Sequence, residues 1–525
     1  GGDYKRNQLN SRTDQAARGN YSFSGLLTSA LDARGNPLAG TGFDFADFLL
    51  GYPQSSSLRF GSANTYFRET VSAGFVQDDW RVWRTLSLNL GLRYEYFSPF
   101  REKFGHMANL DVAPGFTGVA VVTPSKNTGP YSGAFSPGLI DPDRNNLSPR
   151  IGIAWKPFRK KQMVVRAGYG WYFNGSIYNQ FATRLASQPP YASTAHQSTS
   201  TERLLTIEDG FTSMPTVKVT NTYAIDRFYR VGYAQSWNLS VQKDLPHSLV
   251  AEIGYLGTKG TRLDVQRMPN RAAPGSPLTA EQRRQIGNAV GFTFESSEGS
   301  SIYHAGQARI TRRFRQGMSA NAMYTWSKSI DNASTFGGGG NVVAQNDKDL
   351  RAERGLSSFD QRHALSLVYL VSPPAKGRLL KDWTFSGGLT LRTGTPLTAR
   401  VLGNRSDSGG TGAVGSGRAE ATGLPATGGQ FFNLDAFTLP PIGRYGNAGR
   451  NTVPGPAFLT ANLSFGRSFK LSGENRRMDL RVESNNITNH PSYTGLTTVV
   501  NSLNYGLPTA VSAIRTVTGT LRFRF

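Results

Sequence analysis

The chain has 525 residues, 38% of them hydrophobic, with no cysteine and a formal net charge of +23. The lack of cysteine excludes disulfides and thiolate metal sites, and no apolar run reaches the roughly 18 residues that a membrane-spanning helix needs. The charge indicates anionic partners such as nucleic acid, lipopolysaccharide phosphates or an acidic substrate, or else solvated arginine and lysine spread over loops, lumen and turn ends.

Residues 1–65 predict the first strands of the fold, at 17–25 and 54–62, and a connecting segment with a short helix over Phe43–Leu49. From residue 66 onward, apolar and polar side chains alternate with the two-residue period of a strand that has one apolar face. The clearest stretch is 86–96, where leucine and tyrosine occupy one face and Ser, Asn, Gly, Arg and Glu occupy the other. A second short helix is predicted over Thr279–Ile286.

The connections between these strands alternate between short and long. Short ones fall near 81–84, 157–161, 243–248, 314–317, 372–382 and 469–474, and long ones near 99–146, 175–230, 267–302, 330–359, 401–455 and 487–514. Short turns on one side and long loops on the other are typical of an outer-membrane barrel. The predicted fold class is therefore all-β: an antiparallel transmembrane β-barrel with about 14–16 strands present, short periplasmic turns and long extracellular loops.

If the apolar faces lie against lipid, the charged residues between them point into the lumen. This predicts eight lumen-facing candidates for solute contact: Arg93, Glu95, Arg166, Glu252, Arg392, Asp479, Arg481 and Glu483. An alternative stays open, in which these charges pair among themselves and only keep the lumen wet. Arginine or lysine on the lipid face would cost about 2–4 kcal/mol each at the membrane midplane, which favours the inward orientation.

Four tryptophans on apolar faces are predicted to be interfacial anchors. Trp155 and Trp383 lie beside short turns, whereas Trp171 and Trp326 lie about ten residues further along their strands. Ten tilted residues rise about 25 Å, which is the height of the apolar band between the two aromatic girdles of a barrel. Tryptophans in the core of a soluble sandwich are the alternative.

The sequence predicts no catalytic residue, metal site or cofactor. Its six histidines show no metal-ligand spacing, and there is no G-x-S-x-G nucleophile turn or phosphate-binding loop. The segment 141–146 has oxygen ligands at alternate positions, as calcium loops do, but it lacks their central glycine and closing glutamate.

The final strand carries a predicted barrel-assembly signal. Its apolar face consists of Val517, Gly519, Leu521, Phe523 and Phe525, and its other face carries Thr518, Thr520, Arg522 and Arg524. A terminal strand of this kind, ending in an aromatic residue, resembles the signal that the bacterial barrel-assembly machinery recognises.

Several segments together resemble one family. They are 75–96 (FVQDDWRVWRTLSLNLGLRYEY), 145–155 (NNLSPRIGIAW), 359–367 (FDQRHALSL), 383–398 (WTFSGGLTLRTGTPLT), 449–462 (GRNTVPGPAFLTAN) and 480–491 (LRVESNNITNHP). They look like TonB-dependent outer-membrane receptors of the Oar-like type, which bear a carboxypeptidase regulatory domain and are abundant in Acidobacteria. This resemblance implies a barrel of about 22 strands closed by an N-terminal plug, and energised import of scarce, bulky solutes.

The chain departs from that family because it shows no plug, no coupling box and too few strands. We therefore expect residues 66–525 to be the C-terminal part of the barrel of a longer receptor, with coupling to the TonB complex through a missing N-terminal region. The expected role is uptake of a siderophore, glycan or peptide-like solute. Surface adhesion or secretion is the alternative. A passive porin is less favoured because porin-type chains should be complete in one barrel, and a basic nucleic-acid binder is less favoured because the arginines are spread over many strands. The expected partners are outer-membrane lipid and lipopolysaccharide, the barrel-assembly machinery, the TonB complex and an unknown solute, but no nucleic acid.

Overall fold

A computed structural model describes most of the chain. The described residues are 1–12, 18–25, 27–31, 41–61, 64–158, 162–199, 204–209, 219–275, 283–332, 344–374, 377, 381–401, 406, 417–471 and 476–525. Two α-helices occur among them, α1 (Asp44–Leu50) and α2 (Ile177–Leu185). Within this part of the chain, no helix is both long enough and apolar enough to cross a membrane.

One large sheet of 17 strands dominates the structure. Fourteen of its strands are long. They are β1 (Gly2–Arg12), β2 (Asn64–Trp83), β3 (Leu86–Phe97), β4 (Asn146–Trp155), β5 (Met163–Phe173), β6 (Tyr233–Leu245), β7 (Leu249–Arg267), β8 (Thr293–Arg315), β9 (Met318–Asp331), β10 (His363–Val371), β11 (Trp383–Arg392), β12 (Phe458–Lys470), β13 (Arg477–Asn485) and β14 (Thr516–Arg524). Three short strands complete the sheet: Arg101–Glu102, Tyr223–Ile225 and Gly355–Leu356.

The fourteen long strands form a continuous antiparallel series in which each strand pairs with the next one in the chain. The register keeps the apolar faces together, since Ile151 of β4 lies opposite Leu90 of β3 and Tyr169 of β5. Among the described residues, β1 pairs along one edge only, with β2, and β14 along one edge only, with β13. The predicted all-β fold class, with one large antiparallel sheet, is confirmed.

The connections alternate in length as predicted. The short ones are 84–85, 156–162, 246–248, 316–317, 372–382 and 471–476, and the long ones are 13–63, 98–145, 174–232, 268–292, 332–362, 393–457 and 486–515. Successive strands run in opposite directions, so all short turns lie at one end of the sheet and all long loops lie at the other. We call these the turn end and the loop end. In outer-membrane barrels the turn end is periplasmic.

The long loops contain secondary structure of their own. Paired short strands are Asn109–Val112 with Val119–Val122, Thr128–Gly129 with Gly133–Ala134, Glu420–Ala421 with Phe437–Thr438, and Tyr493–Leu496 with Pro508–Val511. A three-stranded sheet combines Asn20–Ser22, Ser55–Gly61 and Ala192–Ser198. Short 3-10 turns in the long loops are Pro114–Phe116, Leu350–Glu353 and Leu434–Ala436, and a further one, Pro246–Ser248, forms the short turn between β6 and β7.

The N-terminal region differs from the sequence-based prediction. The first strand of the large sheet is β1, which the sequence did not reveal because both of its faces are mainly polar. The strands expected at 17–25 and 54–62 form, but they lie in the separate three-stranded sheet. Helix α1 occurs where it was predicted, and it ends at Gly51, whose φ of 76° requires the left-handed conformation that glycine adopts readily. Of the second predicted helix, 279–282 lie outside the described residues, and 284–286 are not helical.

The apolar faces of the large sheet point outward and are exposed. Ile253 is 71% exposed, Ile310 53% and Leu239 48%, and their neighbours on adjacent strands follow the same pattern. A soluble sandwich would bury these side chains between two sheets. Exposed apolar area of this extent is expected only where it faces lipid or another apolar surface.

The buried cores lie instead in the loops. One core joins the loops 98–145 and 174–232 through Leu139, Tyr178, Phe181 and Tyr229, and it includes Phe67 from β2. A second lies within the loops 393–457 and 486–515, and a third joins 109–121, 219–224 and 286–294. The strands therefore depend on lipid for their apolar face, whereas the loops have hydrophobic cores of their own.

The lipid contact predicts the effect of a charge on the outward face. Ile253 is the fifth residue of β7, near the middle of a ten-residue band. We expect Ile253→Arg to lower the free energy of unfolding in lipid vesicles by about 2–4 kcal/mol, measured by urea titration. Gln307→Arg, on the opposite face of the neighbouring strand β8, is the control and should cost less than half as much. Equal losses for the two variants would contradict the lipid-facing assignment.

Candidate functional site

The eight predicted lumen residues all lie on the face of the sheet opposite the exposed apolar band. This follows from the strand alternation and the observed register, because Arg93 lies opposite Ser148, Glu252 opposite Gln242, and Arg481 opposite Thr520. The structure places them in three separate groups and leaves Arg392 apart, where its guanidinium lies 4.5 Å from the centroid of the Phe458 ring. Their part in solute binding stays a prediction.

The first group lies near the start of the sheet. The Arg93 guanidinium is 2.9 Å from the Glu95 carboxylate and 3.3 Å from the Asp3 carboxylate of β1. It also lies 5.6 Å from the centroid of the Phe75 ring. The sequence did not predict Asp3, because β1 itself was not recognised. In this group the charges neutralise one another, as expected if the lumen charges pair among themselves rather than contact a solute.

The second group is more open and lies across β5 to β9. Arg166 donates a hydrogen bond of 2.9 Å to Gln242, and Glu252 lies opposite Arg309. A groove of about 240 Å³ follows this face, and its polar lining includes Asn238, Ser240, Glu252, Gln307 and Arg309. No side-chain ion pair joins Glu252 and Arg309 in the described structure, so both can contact a solute. Arg309 and Gln307 escaped prediction because the alternation in 303–313 is blurred.

The third group lies on β13 and its neighbours. Arg481 is 2.6 Å from Glu483, and Asp479 is 3.1 Å from Arg524 of β14. Ser464 and Ser468 of β12 add hydrogen bonds to Arg481 and Asp479. The group is therefore a chain of alternating charges along the last three strands.

The inward face is open at the turn end and covered at the loop end. Arg166, Asn89 and Arg309 are exposed. Near the loop end the inward side chains are buried, namely Phe67, Glu69, Asn146, Ser148, Glu295, Ser327 and Ser329. Loop residues such as Tyr178 and Tyr229 pack in the same core as Phe67. The long loops thus pack against the inward face of the sheet near the loop end.

A pair of carboxyl groups lies beneath these loops. Asp264, near the end of β7, is hydrogen bonded to Glu295, near the start of β8. Glu295 also forms an ion pair of 3.0 Å with Arg184 of α2. The two residues lie well beyond the membrane-spanning part of their strands, since Asp264 is the sixteenth residue after the turn. Burial raises the pKa of Asp264 to about 6 and holds the pKa of Glu295 well above its ordinary range.

A second group of loops at the loop end is connected by a network of buried charges. Arg418 pairs with Glu353, and Arg450 pairs with Asp331 at the end of β9. Arg450 also donates to the backbone carbonyl of Glu353 at 2.8 Å. All four side chains are buried. This network, the loop clasp, joins the loops 332–362 and 393–457 to the barrel wall.

Gln345 extends the clasp. Its backbone NH donates to Glu353 at 2.8 Å, its side-chain amide donates to the Gly446 carbonyl at 2.9 Å, and its side-chain oxygen accepts from the Arg418 backbone at 2.9 Å. Arg271 of the loop 268–292 donates to the Gln345 carbonyl at 3.2 Å. Three long loops are therefore connected through a few buried polar residues.

The four predicted anchor tryptophans lie on the outward face at two levels. Trp155 and Trp383 are the terminal residues of β4 and β11 at the turn end. Trp326 and Trp171 lie toward the loop end, and Trp171 stacks on Tyr233 with ring centroids 5.0 Å apart. On β14, Val517, Leu521 and Phe523 are 63%, 54% and 49% exposed, and Gly519 shares their face. Phe525 follows the strand and is 92% exposed.

Two carboxylates of the acidic segment 141–146 form ion pairs with arginines. Asp141 forms an ion pair of 3.0 Å with Arg227, and Asp143 one of 3.1 Å with Arg230. The buried Asp143 carboxylate also accepts the Val231 backbone NH at 2.9 Å. These carboxylates connect the loop 98–145 to the segment that leads into β6.

The geometry agrees with the comparison to known families. Residues 1–518 match the family described as "Outer membrane beta barrel domain", so the chain belongs to this family and is an outer-membrane protein. None of the curated proteins matches it.

The solved structures to which the chain is similar include three outer-membrane proteins. The ferripyoverdine receptor of Pseudomonas aeruginosa shares 12% identity with a TM-score of 0.43, over 88% of this chain and 40% of that one. The siderophore receptor PiuA from Acinetobacter baumannii shares 11% identity with a TM-score of 0.45, over 100% and 52%. The transporter YddB from Escherichia coli shares 11% identity with a TM-score of 0.43, over 90% and 55%. The chain thus spans about half the length of these structures or less.

The buried carboxyl pair predicts a pH dependence of the loop-end structure. Because folding raises the pKa of Asp264, the folded state binds more protons than the unfolded state between about pH 4 and pH 6, and stability must fall as the pH rises through that window. We expect the free energy of unfolding in detergent to be about 1–3 kcal/mol lower at pH 8 than at pH 4. Asp264→Asn should flatten this dependence, whereas Glu208→Gln, at an exposed loop position, should not. An unchanged pH profile for Asp264→Asn would contradict the assignment.

The loop clasp predicts a strong effect of removing one buried charge. Arg418→Met leaves Glu353 buried and without its cation, which should destabilise the loops by about 3–5 kcal/mol. Limited proteolysis of 344–362 should then become much faster. Arg481→Met removes a partly exposed ion pair and should change stability by less than about 1 kcal/mol. Addition of Glu353→Gln to Arg418→Met should restore part of the protection, and a failure to do so would show that lost packing, rather than the unpaired charge, is responsible.

Proposed function

We propose that the chain is the barrel part of a TonB-dependent outer-membrane receptor that imports a bulky solute such as a siderophore, a glycan or a peptide-like molecule. The family membership and the outward apolar band support a barrel in the outer membrane. The motifs in 75–96, 359–367 and 480–491 support the Oar-like type. In this proposal residues 66–525 are the C-terminal part of the barrel, 1–65 provide an earlier strand and its loop, and a plug with the TonB-coupling segment belongs to a region outside this chain.

The observation that carries the proposal is the covered mouth above an open, charged lumen. A passive porin needs a continuous water path, whereas here the loops pack against Phe67 and bury the inward face at the loop end. Passage of a solute therefore requires these loops to move. Such a gate is expected of a receptor that admits its solute only on binding.

The charge of the turn end indicates the kind of solute. A groove of about 540 Å³ at that end is lined by Arg84, Lys156 and Arg313, with Asp244 as its carboxylate. Arg313 lies 3.5 Å from Asp244, so that carboxylate neutralises one of the three cations. The remaining positive charge favours a solute that carries carboxylates, phosphates or other anionic groups.

Surface adhesion is the second candidate, because the loops expose large apolar side chains. Leu503 is 98% exposed, Ile442 65% and Phe228 55%. Such residues on otherwise folded loops are suited to contact another surface. This role needs the loops but no solute path, so transport measurements distinguish the two candidates.

The experiment locks the loops inside the barrel mouth. Ala224 of the short loop strand lies opposite Phe294 of β8, and the chain contains no other cysteine. Cells that lack the native gene receive the full-length protein with Ala224→Cys and Phe294→Cys. Uptake of a panel of ferric siderophores, glycans and peptides is then measured before and after reduction. We expect uptake to stop under oxidising conditions and to return with a reductant, while each single variant stays active in both.

Two results would contradict the proposal. The first is a deletion strain that takes up every compound of the panel normally but loses attachment to cells or surfaces, which would favour adhesion. The second is a native barrel that passes small solutes freely in the absence of proton-motive force, which would favour a porin.

A further inference from the structure

A cluster of positive charge lies on the outward face of the barrel, where the apolar band ends on the loop side. Its members are Lys259 of β7, Lys328 of β9 and Arg354, which immediately precedes the short strand Gly355–Leu356. His304 of β8 and His363 of β10 lie among them. We call these five residues the outer basic patch. None of the lumen or loop sites described above includes them.

The register of four strands brings the patch together. His304 lies opposite Lys328 on one side and Gly257 on the other, and Lys259 is two residues beyond Gly257 on the same face. Trp326, two residues before Lys328, lies opposite His363. Lys259 and Arg354 are close enough for their like charges to repel each other. Residues from distant parts of the sequence therefore form one surface.

The patch lies at the height where lipid headgroups are expected. Lys259 is the eleventh residue after the turn that precedes β7, and Lys328 is the eleventh residue of β9. About ten tilted residues rise roughly 25 Å, which is the full height of the apolar band of a barrel. Because the short turns are periplasmic, the opposite boundary contacts the headgroups of the outer leaflet.

Aromatic side chains lie next to the charges, on the side nearer the middle of the membrane. The Tyr255 hydroxyl is hydrogen bonded to Nδ1 of His304 at 2.7 Å, and the Tyr324 hydroxyl to Nδ1 of His363 at 2.7 Å. In both pairs the rings are stacked. On the same face, Trp326, 59% exposed, lies level with Tyr255, and Ile253, 71% exposed, lies nearer the middle of the band. The surface therefore changes from aliphatic to aromatic to cationic along one direction, which matches an amphipathic lipid.

The positive charges of the patch lack acidic partners within the described structure. No ion pair involves Lys259, Lys328 or Arg354, although eleven other arginines of the described chain do form such pairs. Holding like charges together at a membrane boundary is unfavourable unless an anion lies between them. Long lysine side chains can reach the headgroup layer from a strand at the band edge.

We propose that the outer basic patch is a binding site for a phosphorylated glycolipid of the outer leaflet, the lipid A part of lipopolysaccharide. A phosphate lies between Lys259, Lys328 and Arg354, and an acyl chain follows Trp326 and Ile253 toward the middle of the membrane. The apolar contact selects a lipid phosphate over a free one. The site is separate from the lumen and does not depend on the proposed transport function.

The test measures lipid binding by the full chain in detergent. Native mass spectrometry counts bound molecules of lipid A with two phosphates, and of the same lipid after its phosphates are removed. We expect Lys259→Gln with Lys328→Gln to reduce binding of the phosphorylated lipid roughly tenfold or more. The matched control removes two lysines near the turn end, Lys243→Gln with Lys381→Gln, and should leave binding unchanged. Excess inorganic phosphate should not displace the lipid.

Each result has a defined meaning. Equal binding of the phosphorylated and dephosphorylated lipids by the unaltered chain would overturn the proposal without any variant. Equal losses for the two lysine pairs would also overturn it, since the effect would then reflect net charge alone. Full displacement by inorganic phosphate would assign the patch to a free anion instead. Thermal unfolding of each variant in the same detergent confirms that a loss of binding occurs in folded protein.

Discussion

Hydrocarbon offers no partner for a backbone NH or C=O, so every strand that crosses it must hydrogen bond along its edges. This constraint accounts for the continuous antiparallel series from β1 to β14 and for the apolar side chains that face away from it. Among the described residues, the outer edges of β1 and β14 have no pairing. The backbone NH and C=O groups on these two edges therefore need hydrogen-bond partners. The proposal of a larger barrel rests on the same requirement.

A membrane barrel also separates the sources of stability along its height. Within the band, Ile253 and Ile310 are exposed and gain from lipid rather than from protein contacts. Above it, the loops have cores around Leu139 and Phe181 and are joined by buried ion pairs. Buried ion pairs often contribute little net stability, but losing one partner is costly. The loop clasp is therefore suited to holding one arrangement of the loops rather than to making them maximally stable.

The sequence predicted the strands well where one face is apolar, as in β3, because lipid on one side and water on the other impose strict alternation. It missed β1, whose faces are both mainly polar. The alternation also indicated which face each lumen residue occupies, but not its partners, because Arg166 and Gln242 are 76 residues apart and meet only through register. Asp264 was missed because the register shifts between Thr261 and Val265 interrupt the simple alternation there. The loop cores lack any sequence period, so neither they nor the covered mouth were predictable.

The lengths of β7 and β8 have a consequence for what meets the protein from outside the cell. These strands have 19 and 23 residues, whereas about ten are enough to cross the hydrocarbon. Roughly half of each strand therefore extends above the bilayer. This rigid extension of the sheet carries the carboxyl pair and supports the loops. A phage tail or an antibody would first touch this extension of the sheet and its loops, whereas the lipid-facing band and the outer basic patch lie too low for it to contact.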